Sequence, residues 1–256
     1  MRQIQKTRGG FTLVELLVVV GIIALLISML MPALNRVRDQ ANRIKCMSNL
    51  RQVMQGVLMY CTENKGYMPM CNWAGYPAGH IGWLYKDPAT ADPRCPETGV
   101  VFSYMKNLEI FKCPLHTQKR SSGITETYTS YLMNGGIQDY GASPLTVRVA
   151  ARLNKFQVND MILWESGETN LMSPPFNDGS SYPNELISER HGQGWRMAGN
   201  TAKGSGGGIL VCTDAHTEWM STKEYDVELR KDPRVYGYNR MWIAPNLNTP
   251  GPRGFR

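Results

Sequence analysis

The chain has 256 residues, of which 42% are hydrophobic and 19% charged, with a formal net charge of +7. Its mean hydropathy of -0.33 leaves room for one membrane-seeking segment, and the remainder reads as water-soluble. The basic residues are dispersed: Arg2, Lys6 and Arg8 lie at the start, and Arg36, Arg38, Arg43, Lys45 and Arg51 lie farther on. A solvated helix face accounts for them, and nucleic acid is excluded as an expected partner.

The first element is a short basic leader, residues 1–10, ending in Gly9-Gly10. From Phe11 to Leu34 the chain is almost wholly apolar, and Glu15 is its one carboxylate. Leu16 to Met31 alone rises about 24 Å as a helix, and the flanking apolar residues bring it to membrane-spanning length. An acid at bilayer depth costs roughly 2.5–3.5 kcal/mol, so Glu15 is expected where a partner neutralises it.

Past Pro32 the apolar positions change from continuous to periodic. Leu34, Val37, Ala41, Ile44, Met47, Leu50, Met54, Val57, Leu58 and Cys61 follow the spacing of a helix with one buried face. Asn64-Lys65-Gly66 is the expected stop, because glycine takes the left-handed position after a last turn. Pro32 lacks an N–H and is expected to bend or loosen the helix there. The whole is one helix of about 75–80 Å.

From Tyr67 onward Gly and Pro are frequent, and about 190 residues remain, enough for a single core. Short β-like runs are expected at residues 128–133, 145–149, 161–164 and 209–220, with Gly204 to Gly208 as a linker or hairpin tip. The last twelve or so residues, rich in Asn, Pro and Gly, are expected to be irregular.

Three readings compete for residues 1–34. A cleaved secretory signal has an apolar core of about 7–15 residues and a small-x-small site, and this run is longer and ends in Met31-Pro32-Ala33. A plain signal anchor fits the length and the leader charge, yet it gives no reason for Gly-Gly before Phe11 or for Glu15. The third reading is a resemblance. GGFTLVELLVVVGIIALL resembles the processing motif of type IV prepilins and type II secretion pseudopilins at nearly every position.

The resemblance implies an α+β, pilin-like fold: a long N-terminal helix, its apolar half transmembrane, packed on a loop-rich antiparallel β-sheet head. It implies a leader over 1–10, a membrane and assembly helix over 11–34, its amphipathic continuation over 35–66 and an extracytoplasmic head over 67–256. A prepilin peptidase would cut between Gly10 and Phe11 and methylate the Phe11 amine, and Glu15 would pair with that amine on a neighbouring subunit. Such an ion pair is costly to break even where it adds little net stability. The implied partners are other pilin or pseudopilin subunits, an inner-membrane assembly platform and the lipid bilayer. The implied location is the bacterial inner membrane, crossed once with the N-terminus cytoplasmic and the head periplasmic, and then a filament.

The likeness continues through Ala41, Cys46, Ser48 to Gln52, Tyr60 and Asn64 to Pro69, and again at 151–156, 161–166, 190–192 and 209–219. These stretches are similar to G-type pseudopilin-related proteins with large heads, abundant in planctomycete-like bacteria. That group often ends in a strand carrying Asp-Gly-His, where this chain has Asp214-Ala215-His216.

The head offers little chemistry on its own. Six cysteines allow 15 complete pairings. Cys95-Pro96 and Cys113-Pro114 are the first pair expected to form a disulfide, with free buried thiols as the other reading. On a strand over 209–220, Asp214, His216 and Glu218 would share one face, and with His191 they would offer a metal site. Calcium, however, prefers oxygen ligands, and a polar outer face is the expected reading. Cys113-Pro114-Leu115-His116 has no second Cys/His pair, so it reads as a disulfide or a turn. No catalytic residue, cofactor or metal is expected. Trp73, Tyr76, Trp83, Tyr85, Tyr236, Tyr238 and Trp242 give the alternative, a membrane-anchored module that displays a glycan- or polymer-binding surface. A membrane-anchored hydrolase is the weakest reading.

Overall fold

The computed structural model describes residues 12–72, 81–86, 96–116, 129–138, 150–166, 179–181, 187–192, 206–231, 239–241 and 243. The chain divides into two compact units, Met1–Ala41 and Asn42–Arg256. A single helix, α1, runs over Leu13–Glu63 and contributes to both. It continues through Pro32 without a break, so the missing N–H there leaves one rung open without ending the helix.

In the first unit every described residue, from Thr12 to Ala41, is exposed. Leu13, Leu17, Met29 and Leu30 are each more than 60% accessible. The helix is long and apolar enough to cross a membrane, and an apolar surface of this extent is covered by lipid or by protein. In the second unit the pattern reverses. Cys46, Asn49, Leu50, Val53, Met54, Val57 and Cys61 are buried at spacings of three and four. Of the stripe read from the sequence, Leu50, Met54, Val57 and Cys61 belong to this face, whereas Leu34, Val37, Ala41 and Ile44 are exposed, because among the described residues burial of α1 begins only at Cys46. The stop is also where it was expected: the Gly66 N–H donates to the Cys61 carbonyl at 2.8 Å, with Lys65 and Gly66 both at positive φ.

Among the described residues the head carries short helices α2 (Val100–Met105) and α3 (Thr222–Arg230) and five strands. These are β1 (Tyr131–Asn134), β2 (Met161–Glu165), β3 (Ser180–Ser181), β4 (Gly207–Cys212) and β5 (Thr217–Ser221). They form one sheet in the order β3-β1-β2-β4-β5. The β1-β2-β4-β5 body is antiparallel, and the two-residue β3 adds to its edge in parallel with β1. The architecture is α+β and pilin-like.

Both faces of the sheet are covered, so β1, β2 and β4 are buried throughout and read as continuous apolar runs. On one face Tyr131, Met133, Ile162, Leu163, Ile209 and Val211 pack with the inner stripe of α1. On the other, Leu132, Trp164, Leu210 and Cys212 pack with Tyr225 of α3. A register irregularity between Met161 and Leu163 breaks the alternation, and Ile162 and Leu163 both join the α1 side.

The run 209–220 is not one strand. It is the β4–β5 hairpin, turning at Thr213 to His216 with Ala215 at φ 68°. Nor are Gly207 and Gly208 a linker: they open β4, where a Cβ on Gly207 would lie 2.4 Å from the Met220 carbonyl oxygen. Tyr128, residues 145–149 and the C-terminal tail lie outside the described residues.

Candidate functional site

At the start of α1, the Thr12 N–H and hydroxyl donate to Glu15 Oε2 at 2.9 and 2.8 Å, and the Glu15 N–H donates to the Thr12 hydroxyl at 3.2 Å. This is a capping box. Glu15 therefore occupies the first turn of an exposed apolar helix, where a negative charge is favoured by the helix dipole. Gly10 and Phe11 lie outside the described residues.

The head holds a second constellation, one that sequence reasoning missed. Cys46 of α1, Cys113 after the turn Leu108–Phe111, Glu165 at the end of β2 and His191 converge in the interior, with their ligand atoms all within 4.8 Å of one another. His191 Nε2 lies 3.1 Å from Glu165 Oε1 and 3.5 Å from Cys113 Sγ. The side chains of His191 and Glu165 are fully inaccessible.

Backbone bonds fix each member. The Cys113 N–H donates to Ser130 Oγ at 2.8 Å, the His191 N–H to the Gly207 carbonyl at 2.9 Å, and the Ser188 N–H to the Glu165 carbonyl at 2.9 Å. Glu165 Oε2 accepts from the Ile209 N–H at 2.9 Å and from the Ser188 hydroxyl at 3.4 Å. Its other oxygen is left to face His191. The Tyr131 hydroxyl approaches Cys46 Sγ at 3.8 Å.

Burial raises the Glu165 carboxyl, but the His191 hydrogen bond, the charges of His191 and Arg190, and the Ile209 amide outweigh it and hold the group below the usual range. Burial disfavours charge on His191, and its contacts with Cys113 and Glu165 reverse that and raise it. Burial pushes the Cys46 thiol far up. The hydrogen bond from Cys46 draws Cys113 down against burial. Among the described residues, His191 Nδ1 has no hydrogen-bond partner. Two thiols, a carboxylate and an imidazole buried together are the donor set of a transition-metal site.

The other residues singled out from the sequence are placed differently. Cys113 to His116 form a turn, as read, with the His116 N–H donating to the Cys113 carbonyl at 3.0 Å. The His116 ring meets Ser130 Oγ through Nδ1 at 2.8 Å, and burial with Arg190 nearby brings it down to about 3. Cys113 stands as a free thiol, and Cys95, expected as its disulfide partner, lies outside the described residues. His191 is not beside Asp214. Instead His216 bridges Asp214 through Nδ1 and Glu218 through Nε2, and Arg240 closes on Glu218 at 2.6 Å. This partly exposed ion-pair network replaces the row expected on one strand. Trp83 and Tyr85 are buried in the core and cannot form a glycan-binding surface. Trp73, Tyr76, Tyr236, Tyr238 and Trp242 lie outside the described residues.

Cys46 and Glu165 were hidden for a simple reason. Cys46 sits in an apolar helix stripe and Glu165 merely ends an apolar strand, so neither carries a local spacing. The available signal was an acid closing the run Met161 to Trp164, a position where burial demands a partner.

No curated protein and no solved structure matches the chain. Residues 5–31 match the prokaryotic N-terminal methylation motif, and with the long apolar helix α1 this is the make-up of a prepilin- or pseudopilin-type protein.

Proposed function

We propose that the chain is a non-enzymatic structural subunit of a type IV pilus-like or type II secretion pseudopilus filament. It is made as a precursor that a prepilin peptidase cuts between Gly10 and Phe11 and methylates on the freed amine. The observation that carries this reading is the methylation motif at residues 5–31 leading into a helix whose described residues are exposed as far as Ala41. Lipid covers such a surface before assembly, and neighbouring helices cover it afterwards, in contacts made by close packing.

In this reading Arg2, Lys6 and Arg8 hold the N-terminus in the cytoplasm and the head faces the periplasm. An inner-membrane platform lifts the subunit, and Glu15 meets the Phe11 amine of a neighbour. Contacts of this head-to-tail kind do not close on themselves and generate an open helical polymer.

The test is intact mass and N-terminal sequencing of the full-length product extracted from membranes of cells with and without a prepilin peptidase. The expected mature protein begins at N-methylated Phe11 only where the peptidase is present. A chain that keeps residues 1–10 in both overturns the proposal.

A further inference from the structure

We propose that Cys46, Cys113, Glu165 and His191 are the four ligands of one structural zinc ion that fastens α1 to the sheet of the head. The inference is independent of filament assembly.

Geometry comes first. Zinc held tetrahedrally at about 2.0–2.3 Å sets its ligand atoms roughly 3.3–3.8 Å apart. The four donor atoms already lie within 4.8 Å of one another, and His191 Nε2 stands 3.1 Å from Glu165 Oε1 and 3.5 Å from Cys113 Sγ. Shifts of at most about 1–1.5 Å, with the 3.1 Å pair opening slightly, complete the shell.

The donor chemistry selects the ion. Two sulfurs and an imidazole nitrogen are poor ligands for calcium or magnesium and good ones for zinc. All four residues are buried, which describes a closed structural site and not a catalytic one with an open position.

Charge also balances. On binding, the two thiols lose their protons to solvent, and His191 binds as the neutral ring, giving up any second proton. The dipositive ion then faces two thiolates and a carboxylate, leaving one net negative charge. Arg190, whose charge acts on both Cys113 and Glu165, supplies the opposite sign. The outer contacts orient the ligands in the manner of a metal site: the Ile209 N–H and Ser188 hydroxyl occupy Glu165 Oε2, turning Oε1 inward, and the Tyr131 hydroxyl approaches Cys46 Sγ.

The ligands come from four separate segments, and Cys46 is the first buried residue of α1. A zinc ion here would clamp the helix at the point where its burial in the head begins.

The test uses the full chain, solubilised in detergent and carrying no polyhistidine tag. Elemental analysis is expected to find about one zinc per chain. Replacing zinc with cobalt is expected to give thiolate-to-cobalt charge-transfer absorption, which weakens in Cys46→Ser and Cys113→Ser. Wild-type protein stripped by a chelator is expected to melt at a lower temperature and to recover with added zinc, a readout that does not depend on the variants folding. Wild-type protein without zinc, or with Cys46 and Cys113 joined in a disulfide by non-reducing peptide mapping, overturns the proposal. So does zinc retained at full stoichiometry in the double variant.

Discussion

Thr12 and Glu15 hold each other: two donors of Thr12 converge on Glu15 Oε2 while the Glu15 N–H returns a bond to the Thr12 hydroxyl. The carboxylate thus has a local structural role before any neighbour arrives, and none of these bonds uses Oε1. Glu15→Gln keeps an oxygen for the cap and removes the charge, whereas Glu15→Ala removes both. Both variants are expected to insert and to be processed. If the acid meets a neighbour's amine in the filament, loss of the charge in Glu15→Gln is enough to lower incorporation at least about tenfold, and Glu15→Ala lowers it at least as much, because removing one member of a buried ion pair costs about 3–5 kcal/mol. Immunoblotting of sheared filaments against the membrane fraction reads this directly. Normal incorporation of the glutamine variant would show that Glu15 serves only as a cap.

The reciprocal change separates the two roles from the other side. Thr12→Val preserves the acid and removes the hydroxyl, and a lost cap of this kind costs about 1 kcal/mol of helix stability. Faster hydrogen exchange confined to the first turn of α1 is expected, with filament incorporation reduced far less than in Glu15→Gln. Equal loss of incorporation in the two variants would mean that helix order, not charge, controls assembly.

In the head, Gly207 and Gly208 are expected to differ in their tolerance of a methyl group. At Gly207 a Cβ would meet the Met220 carbonyl oxygen at 2.4 Å and the Trp219 ring at 2.7 Å, whereas at Gly208 the nearest atom is Ile187 Cγ1 at 2.6 Å. A strand backbone cannot retreat, but an isoleucine side chain can repack. Gly207→Ala should therefore cost about 3 kcal/mol and Gly208→Ala about 1 kcal/mol, compared by thermal unfolding of the full chain. Trp219 Nε1 also donates to the His191 carbonyl at 2.7 Å, so Gly207→Ala should reach the His191 segment through Trp219, while Gly208→Ala presses on the same segment at Ile187 and, at 3.2 Å, the Ser188 nitrogen.

These glycines also mark where the sequence was legible and where it was not. The long apolar helix and the stop at Lys65 and Gly66 are local patterns, and each lies where it was read. The buried stripe starts later than its apolar spacing suggests, at Cys46, because spacing alone does not say where the head begins to cover the helix. The β4–β5 turn was missed because Ala215, at φ 68°, takes a position that glycine normally advertises. Gly207 and Gly208 were misread in the opposite sense, as punctuation when they serve close packing. The Cys46, Cys113, Glu165 and His191 cluster has no local signature at all. Its members are far apart in sequence, and only the packing of α1 against β2 and the neighbouring loops brings them together.

The His216 network should give the head a measurable pH dependence. Burial works against a charged His216, but its bonds to Glu218 and Asp214 and their charges raise it above the ordinary 6.5. A raised group contributes its full stability below that value and loses it as pH climbs through the folded value. Asp214 is lowered from 3.8, first by the His216 N–H, and Glu218 is lowered from 4.5, first by Arg240. Their contributions are present above those values and vanish as pH falls through the lower folded ones. The network is therefore strongest between the ordinary carboxylate and imidazole values. Raising pH from about 6 to about 9 should remove on the order of 0.5 kcal/mol, a small figure because the groups are partly exposed and screened by salt. His216→Gln should flatten this alkaline limb and leave much of the acid limb, since Glu218 still holds Arg240 at 2.6 Å. Thermal unfolding of wild type and variant across that range isolates the effect, because every other titrating group is common to both. Parallel curves would mean that His216 carries no charge-dependent stability.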